Sequence, residues 1–274
     1  MKKILFFLMA GLLSINISAQ TKKTVSKSPN GYIRCYSTEY EKSLQKKNNR
    51  RAKTDGFENW ISDKINRKKF FNNRISAIKT IPVVVHVINK GEAVGIGTNI
   101  SDAQVISQIT TLNNDYRKKT GTKGYNTNPV GADANIEFAL AVRDPNGNPT
   151  NGIDRISYNK DFWDEAAVET ELKPNTIWDP TKYLNIWVVN FGGDLDGVLG
   201  YAQFPEATTL SGIDYPPFTA TTDGVIIGYQ FFGNLDYDDG SFNLDSTYGY
   251  GRTVTHEVGH WLGLRHIWGD NNSC

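Results

Sequence analysis

The segment that most constrains this chain is Thr253-Val254-Thr255-His256-Glu257-Val258-Gly259-His260-Trp261-Leu262-Gly263-Leu264-Arg265-His266. Three of the chain's four histidines fall within these last eleven positions. His256 and His260 are four residues apart, so a helix stacks them on one face and aims both imidazoles at a single point. Glu257 follows the first histidine, where its carboxylate can reach a water on a metal without ligating the metal itself. Gly263 can take a positive φ, which ends the helix and turns the chain back so that His266 delivers a third nitrogen. Three imidazoles with one open position are the donor set of a catalytic zinc; a structural zinc requires a fourth protein ligand. Ordinary residue frequencies would produce these five specified positions by chance in roughly one chain of this length in 10⁵. The apolar residues Val258, Trp261, Leu262 and Leu264 suit a helix buried deeply enough to hold its ligands rigidly.

The 274 residues as a whole are 39% hydrophobic and 22% charged with two cysteines, which excludes a disordered tail or a disulfide-stapled miniprotein. Lys2 and Lys3 precede a mostly apolar stretch, Ile4 to Ile15, and Ile17-Ser18-Ala19 offers a small residue before a cut ahead of Gln20. Residues 1–19 therefore read as a signal peptide for a secreted product, since about twelve apolar residues fall short of the roughly twenty needed to span a bilayer. Residues 20–79 carry 16 Lys/Arg against 5 Asp/Glu, a net +11, whereas residues 80–274 carry 12 against 24, a net −12. The two parts should attract, so the basic stretch is read as a prosegment covering its own catalytic domain. Its boundary lies at 79, or near 50 if Arg50-Arg51 is the nicking site, with Lys68-Lys69 as a lesser candidate. The acidic catalytic half argues against a nucleic-acid partner.

From residue 80 the pattern is that of an α+β domain. Ile81 to Ile88 is a β-branched run with the character of a buried strand, and His86 within it is read as structural. Ser101 and Gln104 form a capping box for a helix over 102–118, whose Val105, Ile109, Leu112 and Tyr116 recur at helical spacing. Further strands are expected at 136–142, 184–191, 200–204 and 224–232, with long loops at 143–160 and 206–222. Gly200 to Phe204 suits a sheet edge along which an extended peptide substrate could add as a further strand, or an ordinary edge.

The zinc segment, the following Ile267-Trp268-Gly269-Asp270, the upstream Leu199-Gly200-Tyr201-Ala202-Gln203-Phe204-Pro205, and Thr222-Asp223-Gly224-Val225-Ile226-Ile227 together resemble the pappalysin family of metzincin zinc metallopeptidases, particularly its secreted bacterial cytophagalysin-like members. The resemblance covers roughly residues 80–274. It implies a metzincin-like catalytic domain in which a twisted mixed sheet and an active-site helix stand above a cleft, with a mostly irregular subdomain below. Carried onto this sequence, His256, His260 and His266 would ligate zinc and Glu257 would be the general base of an endopeptidase. Members also commonly bind calcium, for which Asp236, Asp238 and Asp239 are oxygen-rich candidates beside the plainer reading of a solvated acidic loop. Arg34-Cys35-Tyr36-Ser37-Thr38-Glu39-Tyr40 resembles the cysteine-bearing pro-region motif of bacterial relatives, whose thiolate blocks the open zinc position. A soft thiolate suits zinc and Arg34 would favour the anion, while a Cys35–Cys274 disulfide is the rival arrangement.

The resemblance also leads one to expect a methionine-bearing turn beyond the third histidine. Both methionines, Met1 and Met9, lie in the signal region, and the sequence stops eight residues after His266, so the expectation is a chain whose C-terminal subdomain is largely absent. Two functions follow: a secreted zinc endopeptidase made as a latent precursor and acting on protein or peptide substrates, or a catalytically incompetent secreted protein retaining the cleft as a peptide-binding or structural module. A nonproteolytic zinc hydrolase is a third, because the motif defines water activation more firmly than substrate.

Overall fold

β1, Lys79–Asn89, is the strand around which the sheet is assembled, and from Val83 onward every one of its residues is buried. Such a run, apolar on both faces, is what a central parallel strand requires. The computed structural model describes residues 27–48, 51, 53–71, 77–205 and 220–267, so the signal region, residues 206–219 of the expected loop 206–222, and Cys274 lie outside the described residues. Along one side, β1 pairs in parallel with β2 (Ile136–Leu140) through its first half and with β3 (Ile153–Ser157) through its second. Along the other side it pairs in parallel with β4 (Leu184–Val189), which pairs with β6 (Val225–Gly228). β5 (Gly200–Ala202) runs antiparallel to β6 at the end of the sheet, giving the order β2-β1-β4-β6-β5 and the expected mixed sheet.

α3, Asp102–Tyr116, begins as its capping box foretells: the Ser101 side chain accepts a hydrogen bond from the Gln104 amide. Its Val105, Ile109 and Leu112 pack with Val83, Val85, Val87, Ile186, Val188, Val225 and Ile227 on one face of the sheet. α6, Arg252–Trp261, shares that face through Val254 and Val258. The opposite face carries Ile88, Trp187, Val189, Tyr201 and Ile226. A bent helical segment covers it: α4 (Glu165–Ala167) runs through a π turn (Val168–Leu172) into α5 (Lys173–Thr176).

Two helices precede the sheet, α1 (Ser37–Lys47) and α2 (Thr54–Phe71). Tyr40 and Leu44 of α1 join the core around Trp187 and Tyr201, so the N-terminal basic stretch is built into the fold. His86 is structural, as expected: fully buried, it stacks on Trp187 at 5.3 Å and lies 2.9 Å from Asp154 Oδ2 and 3.0 Å from Asn185 Oδ1.

Several expected boundaries differ. β3 falls inside the expected loop 143–160, because Ile153 and Ile156 do not alternate and give a short strand no period to announce it. β4, β5 and β6 stop at 189, 202 and 228, short of the expected 191, 204 and 232. For β6 the reason is a tight turn over Tyr229–Phe231, which keeps Phe231 and Phe232 buried without extending the strand.

Candidate metal and catalytic site

α6 carries the histidines as the four-residue spacing requires, and α3 fixes α6 from below. Thr255 Oγ1 donates to Asp115 Oδ2 at 2.7 Å, Arg252 pairs with the same carboxylate, and Tyr116 donates its phenol hydrogen to the Thr255 carbonyl at 3.1 Å. At the other end of the helix, Trp261 Nε1 donates to Asp223 Oδ1 at 2.9 Å. Gly263 has φ +95° and closes the helix: its amide bonds to the His260 carbonyl, and the Leu264 amide bonds to that of Gly259. This reversal brings His266 back over α6.

The Nε2 atoms of His256, His260 and His266 form a triangle with edges of 3.0, 3.1 and 3.2 Å. Three ring nitrogens this close cannot all satisfy one another by hydrogen bonds. The edges suit one face of a zinc tetrahedron, for which Zn–N bonds of about 2.0–2.1 Å set nitrogens a little over 3 Å apart. His260 Nδ1 lies 2.7 Å from the Leu264 carbonyl and donates to it, which leaves the Nε2 lone pair directed at the triangle's centre. The Phe204 ring packs against His260, with centroids 5.0 Å apart. Against the outer side of His256 and His260 lies an open depression of about 350 Å³, walled by Tyr116, Ala132, Ala134 and Leu264. The histidines thus fit the metal that their spacing implies.

Glu257 is fully buried, and burial pushes its carboxyl up to about 8 against the lowering effect of hydrogen bonds from Ser37 and Cys35. Gly200 of β5 lies beside it, held free of a side chain by β6: a Cβ there would meet Ile227 Cδ1 at 2.5 Å and the Ile226 carbonyl at 2.9 Å, and would stand 3.4 Å from Glu257 Cγ. Cys35 completes the cluster. Its sulfur and the three histidine nitrogens all lie within 4.8 Å of one another, and its thiol donates to Glu257 Oε2 at 3.6 Å. Burial, and then the charge of Glu257, push this thiol upward, a tendency that a divalent cation at the histidines would oppose. Arg34, expected beside the sulfur, instead places its guanidinium 5.9 Å from the Tyr248 ring centroid.

The N-terminal segment occupies the edge of the sheet. Ile33 bridges Val198 in parallel, with its amide on the Gly197 carbonyl and its carbonyl accepting from Leu199; the Tyr36 amide donates to the Gly200 carbonyl. The turn into α1 then divides the side chains between the two faces. Cys35 and Ser37 face Glu257, whereas Tyr36 and Tyr40 reach Glu165 and Glu169 on the far side. Tyr40, Trp187 and Tyr201 surround the ammonium of fully buried Lys173, which pairs with Glu169 at 2.6 Å. Further along, Phe57 of α2 packs beneath the Gly263 turn, and Arg265 lies 3.3 Å from Glu58 and stacks over Phe204.

Some sequence expectations meet different surroundings. Arg51 is buried against Glu41 and the Phe204 carbonyl rather than offered to a protease; Arg50 lies outside the described residues, as do the side chains of Lys68 and Lys69. Asp236 pairs with Lys123, Asp238 accepts from the Gly240 and Phe242 amides, and Asp239 from Ser241. Among the described residues these three do not gather into a metal-ligand cluster. Ser37 was not singled out by its sequence; its position two residues beyond Cys35 is the one signal that could have found it.

Replacing Gly263 by alanine tests the turn. A side chain at φ +95° costs about 1–2 kcal/mol, and the new Cβ would lie 3.3 Å from Phe57 Cζ. The expected result is an unfolding free energy lower by that amount in metal-free protein, read from the urea midpoint.

Comparison with known proteins agrees with this geometry. A sequence profile of Peptidase M43, described as pregnancy-associated plasma protein-A, matches residues 166–274. Extracellular metalloproteases of Verticillium alfalfae and Arthroderma otae are 32% and 29% identical over 197 and 198 residues, in each case 71% of this chain and 55% of the relative. The chain thus spans about half the length of these curated relatives. Among solved structures, mature mirolysin of Tannerella forsythia in complex with a cleaved peptide is 44% identical, with a TM-score of 0.57 over 73% of this chain and 68% of that one. A promirolysin variant from the same organism is 39% identical, with a TM-score of 0.62 over 86% of this chain and 71% of that one. With its histidine triangle, its mixed sheet and relatives of this identity and coverage, the chain belongs to the pappalysin family of metzincin metallopeptidases.

Proposed function

We propose that the chain is the latent precursor of a secreted zinc endopeptidase, in which residues 1–19 direct export and residues 20–79 form an inhibitory prosegment. The observation that carries this reading is the convergence of three histidine Nε2 atoms at 3.0–3.2 Å beside a buried glutamate. His256, His260 and His266 would hold the metal, which when bound supplies Lewis acidity toward water and the scissile carbonyl. Glu257 takes the proton of the attacking water and returns it to the departing amine; a carboxyl lifted toward neutrality is matched to that exchange. The Gly197 and Gly200 carbonyls and the Leu199 amide, which now bond to residues 33–36, are the groups with which an extended substrate would pair. Cys35, within reach of the histidine nitrogens, would close the remaining metal position until the prosegment leaves. The extracellular naming of the fungal relatives supports export, and among the described residues no helix is long and apolar enough to cross a membrane.

The test is casein hydrolysis by the processed protein, together with its zinc content. One zinc per chain and activity abolished by a chelator and restored by zinc are expected. Hydrolysis indifferent to the chelator would overturn the reading.

A further inference from the structure

Ser37 is the first residue of α1 and is fully buried. Its hydroxyl donates to Glu257 Oε2 at 2.6 Å and accepts from the Ala202 amide at 2.8 Å. Cys35 donates to the same carboxylate oxygen at the longer distance of 3.6 Å, and Glu257 Oε1 has no hydrogen-bond partner among the described residues. The hydroxyl therefore ties together two groups on different elements, the carboxylate on α6 and a backbone donor on the edge strand β5. Alanine would leave both without it, and in a buried setting each unsatisfied group is costly.

We propose that Ser37 is a second latch of latency, independent of the metal, which holds the Glu257 carboxylate and the Ala202 amide of the substrate-binding edge at once. This rests on the peptidase reading above and deepens it. Cys35 guards the metal position, while Ser37 guards the base and the edge. Losing the metal or modifying the Cys35 thiol consequently does not free the cleft; residues 33–37 must leave the edge. Tyr36 and Tyr40, bonded to Glu165 and Glu169 across the edge strand, keep the hydroxyl in register.

The latch is read in metal-free precursor by the rate at which a maleimide labels Cys35, with mass spectrometry assigning the label to Cys35 rather than Cys274. Ser37→Ala is expected to raise that rate about 2- to 10-fold, the range for an ordinary hydrogen bond. Exposed Lys42→Ala is expected to leave it unchanged. In a Glu257→Ala background, where labelling is already fast, Ser37→Ala should add little, because its partner is gone. If Ser37→Ala does not fold, hydrogen exchange at the Ala202 amide of the metal-free wild-type precursor decides instead: protection is expected, and exchange at the rate of an open strand edge would overturn the proposal. A wild-type labelling rate in folded Ser37→Ala would overturn the proposal, as would an equal effect of Ser37→Ala with and without Glu257. Neither result depends on hydrolysis, so an absence of zinc-dependent cleavage would count against the peptidase reading while these rates still decided the latch.

Discussion

Glu257→Ala is expected to lower peptide hydrolysis by about 10²–10⁴-fold, the usual contribution of a positioned general base, while the protein still binds zinc. The dissociation of the two effects follows from geometry. The nitrogens that would hold the metal belong to His256, His260 and His266, whose mutual positions are fixed by α6, by the Gly263 turn and by the bond from His260 to the Leu264 carbonyl. Glu257 points instead toward Ser37 and Cys35. Steady-state cleavage of a peptide by processed enzyme, beside metal content by atomic absorption, checks both halves. Equal cleavage by wild type and variant would remove Glu257 from the mechanism.

Arg51→Ala is expected to destabilise the precursor by about 3–5 kcal/mol, the cost of leaving one member of a buried ion pair alone. The Arg51 guanidinium meets both oxygens of Glu41 at 2.7–3.0 Å and donates to the Phe204 carbonyl at 3.0 Å, with both side chains almost wholly removed from solvent. It thus joins α1 to the strand exit whose next contact is the His260 ring. Unfolding in urea measures the loss, and the double variant Arg51→Met/Glu41→Leu is expected to recover most of it, since no charge then remains buried unpaired. A single variant as stable as wild type would show that this pair does not hold the N-terminal stretch down.

How far the sequence could be read follows from the range of the interactions concerned. The histidine spacing, the Gly263 turn and the Ser101–Gln104 cap each involve residues within about one to three helical turns, so periodicity and φ preference announce them. The central strand was legible because a run buried on both faces leaves a continuous β-branched signature. β3 was not, since its five residues neither alternate nor form an apolar run and owe their extended form to the vacant side of β1. The helices of the basic N-terminal stretch were also missed. α1 has the composition of a solvated basic stretch, and only the cavity around Lys173 and Glu169 makes Tyr40 a core residue. Arg51 reversed its meaning altogether: a dibasic site in a polar sequence reads as exposed, yet Glu41 and the Phe204 carbonyl compensate its burial.

The sequence by itself determined the three-histidine cluster, the glutamate beside it, the α+β class and the charge division between a basic N-terminal stretch and an acidic remainder. These rest on local spacing and on composition. Only the tertiary structure decided what that basic stretch does at the site: that its strand fills the sheet edge, that Cys35 reaches the histidines, and that Ser37 holds Glu257 and Ala202. The contacts of Ser37 join positions 220 and 165 residues apart, and no periodicity encodes a pairing at such separation. It exists because the sheet brings β5 alongside α6, leaving one buried hydroxyl to satisfy a carboxylate and an amide together.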